Sequence, residues 1–159
     1  MSVLSAVLDA LRTGAIEIVD LTTPLQESTP ILRLPEPFAN TRNFRLEEIS
    51  RYDDRGPAWY WNDIHTGEHT GTHVDAPVHW VTGKDGPDVS QAPMRTLVAP
   101  VAVIDKSAEA AADPDFLLEV EHLTTWQDEH GPLPDGGWLL YRTGWEARGA
   151  DQADFLNAD

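Results

Sequence analysis

Residues 69–79, HTGTHVDAPVH, suit neither a helix nor a straight strand, and that restriction shapes any fold this chain adopts. Thr70, Gly71, Thr72 and Val74 are poor helix formers, and Pro77 lacks the amide that a helix interior needs. A straight strand fails for another reason. It keeps His69, His73 and Asp75 on one face, yet it leaves the two histidines roughly 13 Å apart at about 3.3 Å per residue. Ligand bonds near 2 Å do not span that gap. The chain must therefore bend between His69 and His73, and Gly71 is where a bend or a close backbone approach is easiest. Pro77 predicts a second rigid turn that carries His79 back toward the same point.

Three of the six histidines fall within this segment, together with one aspartate. Neutral imidazoles and a carboxylate are a donor set for a divalent metal, so His69, His73 and Asp75 are the candidate ligands and His79 the candidate proton carrier. The same two histidines and carboxylate also match an iron site for oxygen chemistry, a reading that gives His79 no task. Tyr60, Trp61 and Trp80 flank the cluster and are candidates for an apolar wall around an aromatic substrate. His65 shares the strand parity but has no bend beside it. His122 and His130 lie in a polar helical stretch and are expected at the surface, as are Glu68 and the Asp53-Asp54 pair.

Composition limits the alternatives. The net charge of -16 disfavours nucleic acid and anionic lipid surfaces, which need clustered Lys and Arg. The chain has no cysteine, so disulfides and thiolate metal sites are ruled out. Its 159 residues suit one domain, residues 1–159, with room for a useful core. No apolar run approaches the roughly 18 residues that cross a bilayer, and the N-terminal stretch has no basic leader, so a cytoplasmic location is expected. The glycines form no phosphate-binding pattern.

Apolar spacing at Val3, Leu4, Val7, Leu8 and Leu11 predicts an amphipathic helix ending at Gly14. A strand is expected over residues 15–21, then an ordered loop or lid over residues 22–40, which carry four prolines. Further strands are expected over residues 44–49, 58–64, 97–105 and 138–142. A short helix is expected over residues 121–130. Strands interleaved with helices indicate a mixed α/β domain without regular βαβ repeats.

The motif His69-Thr-Gly-Thr-His73-Val-Asp75-Ala-Pro77-Val-His79 resembles the HxGTHxDxPxH signature of the cyclase-like metal-dependent amide hydrolases, a family that includes kynurenine formamidases and isatin hydrolases. The resemblance extends to Asp20-Leu21, to Val101 through Asp105 and to Leu140 through Trp145, most of the chain. It implies a swivelling β/β/α fold with a mixed sheet and flanking helices. It also implies a Mn²⁺ or Zn²⁺ centre on His69, His73 and Asp75, His79 as general acid/base, a small-molecule amide substrate and a homo-oligomer. The formamidase branch carries a tryptophan where this chain has Leu32. The stretch from Trp61 to His69 and the ending Phe155-Leu-Asn-Ala-Asp159 are more similar to the isatin hydrolase branch, so opening of a cyclic amide is expected first and arylformamidase activity second. Members of the family are longer, and their later part adds a further His and Glu near the metal. The chain is therefore expected to be the N-terminal part of a longer fold, with exposed edges around Val101 to Asp105 and with a catalytically silent metal-binding domain as a further alternative.

Overall fold

A computed structural model describes residues 2–157; the last two residues of the ending compared above, Ala158 and Asp159, lie outside the described residues. Helix α1 (Val3–Thr13) opens the chain. The Ser2 hydroxyl accepts from the Ser5 amide at its start, and Gly14 ends it in the left-handed conformation at φ 75°. The expected helix and its stop are both present. Its apolar stripe is uncovered, however: Val3 is 83% and Leu4 67% exposed.

The strand expected over residues 15–21 is absent, and those residues carry no regular hydrogen-bonded structure. The physical reason is the lack of a partner, since none of the four described strands pairs with them and a ladder needs a neighbour. Residues 22–40 form the expected irregular loop, seated on the buried trio Thr29, Pro30 and Ile31.

Strands β1 (Arg45–Asp53) and β2 (Gly56–His65) form an antiparallel hairpin with register irregularities between Glu48 and Ser50 and between Arg51 and Asp53. Ser50, completely buried, lies beneath Trp59 and donates to its carbonyl oxygen at 3.5 Å. At the turn, Arg55 bridges Asp53 and Glu48. Asp53 is thus held in surface ion pairs, in keeping with the solvated role expected for it.

Strands β3 (Val101–Asp105) and β4 (Trp138–Arg142) run parallel, Val101 opposite Trp138 and Asp105 opposite Arg142. Between them lie α2 (Ser107–Ala112), which periodicity does not reveal, and α3 (Val120–His130). This is one βαβ unit, the connection a parallel pair requires. The α/β class is therefore as expected, with the strands in two separate two-stranded sheets. Along β3 the side chains alternate, with Ala102 and Ile104 buried and Val101 and Val103 exposed. Trp126 of α3 donates its indole N–H to the Val103 carbonyl at 3.0 Å, fastening the helix to the strand.

Among the described residues, the buried apolar side chains are Pro30, Ile31, Phe44, Ala102, Ile104 and Ala110. The useful core expected from chain length is thus a thin one. On the outer face of β3, Val101 and Val103 are about half exposed, and the apolar side chains along β4 are partly exposed as well.

Asp105 ends β3, and its carboxylate receives the first residue of α2. Its carboxylate accepts from the Ser107 hydroxyl at 2.6 Å, from the Ser107 amide at 2.9 Å and from Arg142 at 2.6 Å. These donors, the Ser107 hydroxyl foremost, lower its pKa to about 2. A carboxylate depressed in the folded state stabilises above its unfolded value, about 3.9, and that contribution is lost as pH falls toward 2. Denaturant midpoints measured between pH 5 and pH 2 should therefore fall less steeply in Asp105→Asn than in the wild type. Parallel slopes would remove Asp105 from the acid response.

Candidate metal centre

The bend required by the sequence is present. After β2 ends at His65, residues 68–72 turn sharply, with Gly71 in the left-handed region at φ 63°. A β-carbon there would lie 2.5 Å from Leu25 Cδ2, so glycine answers both the backbone conformation and the close approach of the loop. The Thr72 hydroxyl accepts from the Thr23 amide at 3.2 Å and ties the loop to the bend on the other side. Beyond Asp75, Pro77 begins a 3₁₀ turn (Pro77–His79), and the His79 amide donates to the Ala76 carbonyl at 3.0 Å. This is the second rigid turn.

The two turns gather four side chains. His69 Nδ1 lies 3.1 Å from His73 Nε2 and 2.8 Å from Asp75 Oδ1, and His73 Nε2 lies 3.2 Å from the same oxygen. A separation of roughly 13 Å in a straight strand has become a tight triangle. The His79 ring sits 4.0 Å from that of His69, centroid to centroid, and His69, Asp75 and His79 each offer a ligand atom within 4.8 Å of the others. His69 and Asp75 belong to both groupings. The triangle through His73 is the tighter one, with His79 beside it.

The donor set fits a divalent cation. Donors about 2.1 Å from one ion stand roughly 3.0–3.4 Å apart at right-angled to tetrahedral geometry, close to the triangle's edges. His73 Nδ1 donates to the Gly71 carbonyl at 2.8 Å, since a carbonyl oxygen only accepts. In the neutral ring this leaves the Nε2 lone pair directed at the cluster, the usual way a backbone partner fixes a ligand histidine. Gly71 therefore shapes the bend and also orients His73. The three side chains are about one-third exposed, so a cation has access from solvent.

The cluster opens into a cavity of about 750 Å³ whose lining includes His69, His73, Asp75, His79 and Trp80. Leu32 and Leu34 from the loop, with Trp145 and Phe155 from the end of the chain, face the same space. Among the three aromatic residues expected to contact substrate, only Trp80 lines this cavity. Tyr60 and Trp61 lie on the β1–β2 hairpin, where Tyr60 stacks under the Arg51 guanidinium at 4.4 Å and Trp61 is 53% exposed. The bend that follows β2 separates these neighbours in sequence from the site. Trp145 and Phe155 carried no signal near the motif; they reach the cavity through folding of the chain's end.

The remaining histidines have other partners. His65 Nε2 contacts Glu47 at 2.9 Å, His122 accepts from the Glu119 amide at the start of α3, and His130 stacks on Trp126.

Known proteins match this arrangement. An isatin hydrolase of Roseibium aggregatum is 48% identical over 161 aligned residues, which cover 99% of this chain and 61% of that protein. The crystal structure of an isatin hydrolase bound to the product analogue thioisatinate superposes with a TM-score of 0.94 at 48% identity, over 100% of this chain and 63% of that one. Isatin hydrolase A from Ralstonia solanacearum superposes with a TM-score of 0.92 at 47% identity, over 100% of this chain and 61% of that one. The chain thus has the isatin hydrolase fold across the matched span, and it spans about three-fifths of the length of these relatives. The sequence profile described as Putative cyclase matches residues 19–158, the span that carries the bend, the histidine cluster and the βαβ unit, and the chain belongs to that family.

Proposed function

We propose that this chain carries the metal-binding part of a hydrolase that opens a cyclic amide of the isatin type. The observation that supports this most is the triangle of His69, His73 and Asp75 with His79 beside it, at the mouth of a partly apolar cavity. A bound Mn²⁺ or Zn²⁺ supplies Lewis acidity, polarising a carbonyl and making water more acidic. His69, His73 and Asp75 would hold the ion, and the Gly71 carbonyl, accepting from His73 Nδ1, leaves the His73 Nε2 free for it. His79 accepts a proton from the attacking water and returns one to the leaving nitrogen. Water oxygen bonds to the amide carbon, the ring C–N bond breaks, and the products are an amine and a carboxylate within one molecule.

Leu32 lines the cavity, at the position where the family resemblance implies a tryptophan for the formamidase branch, and so supports the cyclic-amide reading over the formamidase one. Homo-oligomer formation belongs to the same proposal, and the exposed Trp59, Trp61 and Ile64 on the hairpin favour it. The test is hydrolysis of isatin and of N-formylkynurenine by the chain reconstituted with Mn²⁺ or Zn²⁺, followed by loss of substrate absorbance. Isatin turnover that chelation abolishes is expected. Metal uptake without turnover of either substrate would leave a silent metal-binding domain.

A further inference from the structure

Loop residues 22–40 have no helix or strand of their own, yet they supply Leu32 and Leu34 to the cavity wall. Side-chain amides supply the order that a ladder would otherwise give. Asn40 accepts from the Leu34 amide at 2.7 Å and donates to the Leu34 carbonyl at 2.9 Å. Gln152, 121 residues away in sequence, does the same for Ile31, accepting from its amide at 3.1 Å and donating to its carbonyl at 2.8 Å. Each carboxamide takes both polar groups of one residue, as a neighbouring strand does. Leu32 lies directly after the residue held from a distance.

Gln152 is itself well placed. It is the first residue of α4 (Gln152–Leu156), where the Asp151 carboxylate accepts from the Ala153 and Asp154 amides at 2.8 and 3.1 Å. The Trp145 indole N–H donates to the Phe155 carbonyl at 3.0 Å, and the Arg148 guanidinium lies 4.1 Å over the Trp145 ring. Trp145 and Phe155 line the same cavity as Leu32 and Leu34. One side chain therefore joins the two apolar parts of the cavity wall, and it is not among the residues that line the cavity or hold the ion.

We propose that Gln152 is a positioning residue that sets how the cavity fits the flat, apolar portion of a substrate, by clamping Ile31 and thereby fixing Leu32. Its kinetic consequence rests on the amide-hydrolase reading above, whereas the clamp itself is read from the accessibility of the loop.

The test compares the full chain with its Gln152→Ala and Gln152→Glu variants. Glutamate keeps the shape and an acceptor for the Ile31 amide but presents no donor to the Ile31 carbonyl when ionised. Trypsin cleavage after Arg33, two residues from the clamp, should accelerate roughly tenfold in both variants, the loss expected when one or two part-buried hydrogen bonds are broken. Metal content should equal that of the wild type. The KM for isatin should rise roughly tenfold while kcat stays within about threefold, the pattern of lost uniform binding.

Unchanged cleavage overturns the clamp, as does loss of bound metal in parallel with faster cleavage, which would mark a general structural role. If the wild type turns over no amide, the amide-hydrolase reading fails and cleavage after Arg33 alone decides the clamp. Should the alanine variant not fold, the isosteric glutamate variant carries the same expectation.

Discussion

His73→Ala is expected to lose its divalent cation, with metal affinity falling roughly a hundredfold or more. Loss of residues that merely orient a ligand costs 10- to 100-fold, and loss of a ligand costs no less. The His73 side chain is about one-third exposed, so its removal leaves the thin core untouched and the far-UV circular dichroism should not change. Metal per chain, measured after dialysis at limiting Mn²⁺ or Zn²⁺, should drop toward zero. His79→Ala makes the contrast. It should retain the ion, because the tighter triangle is intact, and lose hydrolysis. Equal metal content in His73→Ala and the wild type would remove the proposed centre altogether.

Gly71→Ala is expected to weaken metal binding roughly tenfold, although residue 71 contributes no ligand side chain. Two costs combine. At φ 63° a β-carbon is strained by about 1 kcal/mol, and here it would also meet Leu25 Cδ2 at 2.5 Å. Either way of relieving them, turning the backbone or pushing the loop aside, moves the Gly71 carbonyl that orients His73 and disturbs the triangle. Adding Leu25→Ala to the same chain should restore the part due to packing and leave the part due to φ. Calorimetric metal titrations of the wild type, the single variants and the double variant separate the two contributions. Wild-type affinity in Gly71→Ala would show that the bend does not depend on glycine.

The legible and illegible parts of this molecule divide by the range of the interactions that form them. The first helix with its glycine stop, β4 and α3 follow from local spacing and lie within a residue of where it puts them. The hairpin strands run longer than expected, Arg45–Asp53 and Gly56–His65. The strand expected from Leu97 begins only at Val101, after a 3₁₀ turn (Met94–Leu97) and Pro100, which has no amide to give a ladder. The failure over residues 15–21 is instructive, because a β-branched apolar run makes a strand only beside another strand. Helix α2 was hidden for a complementary reason. Its six residues are too short to show a period, and its first turn is held by Asp105 and Ser107, a local hydrogen-bond device rather than an apolar stripe.

The same division runs through the site. Proximity in sequence suggested Tyr60, Trp61 and Trp80 as one apolar wall, but the bend after His65 turns the hairpin away and leaves Trp80 alone at the cavity. The rest of the wall comes from the loop and from the end of the chain, more than 100 residues apart, joined by Gln152 and Ile31.

By itself, the sequence determined the bend at Gly71, the turn at Pro77 and the convergence of His69, His73, Asp75 and His79. Those outcomes depend on backbone freedom and donor chemistry within eleven adjacent residues. The tertiary structure decided which apolar side chains face that cluster, which extended segment gains a partner, and which distant amide holds the loop in place. Each of these depends on contacts between segments far apart in the chain, where local propensity carries no information.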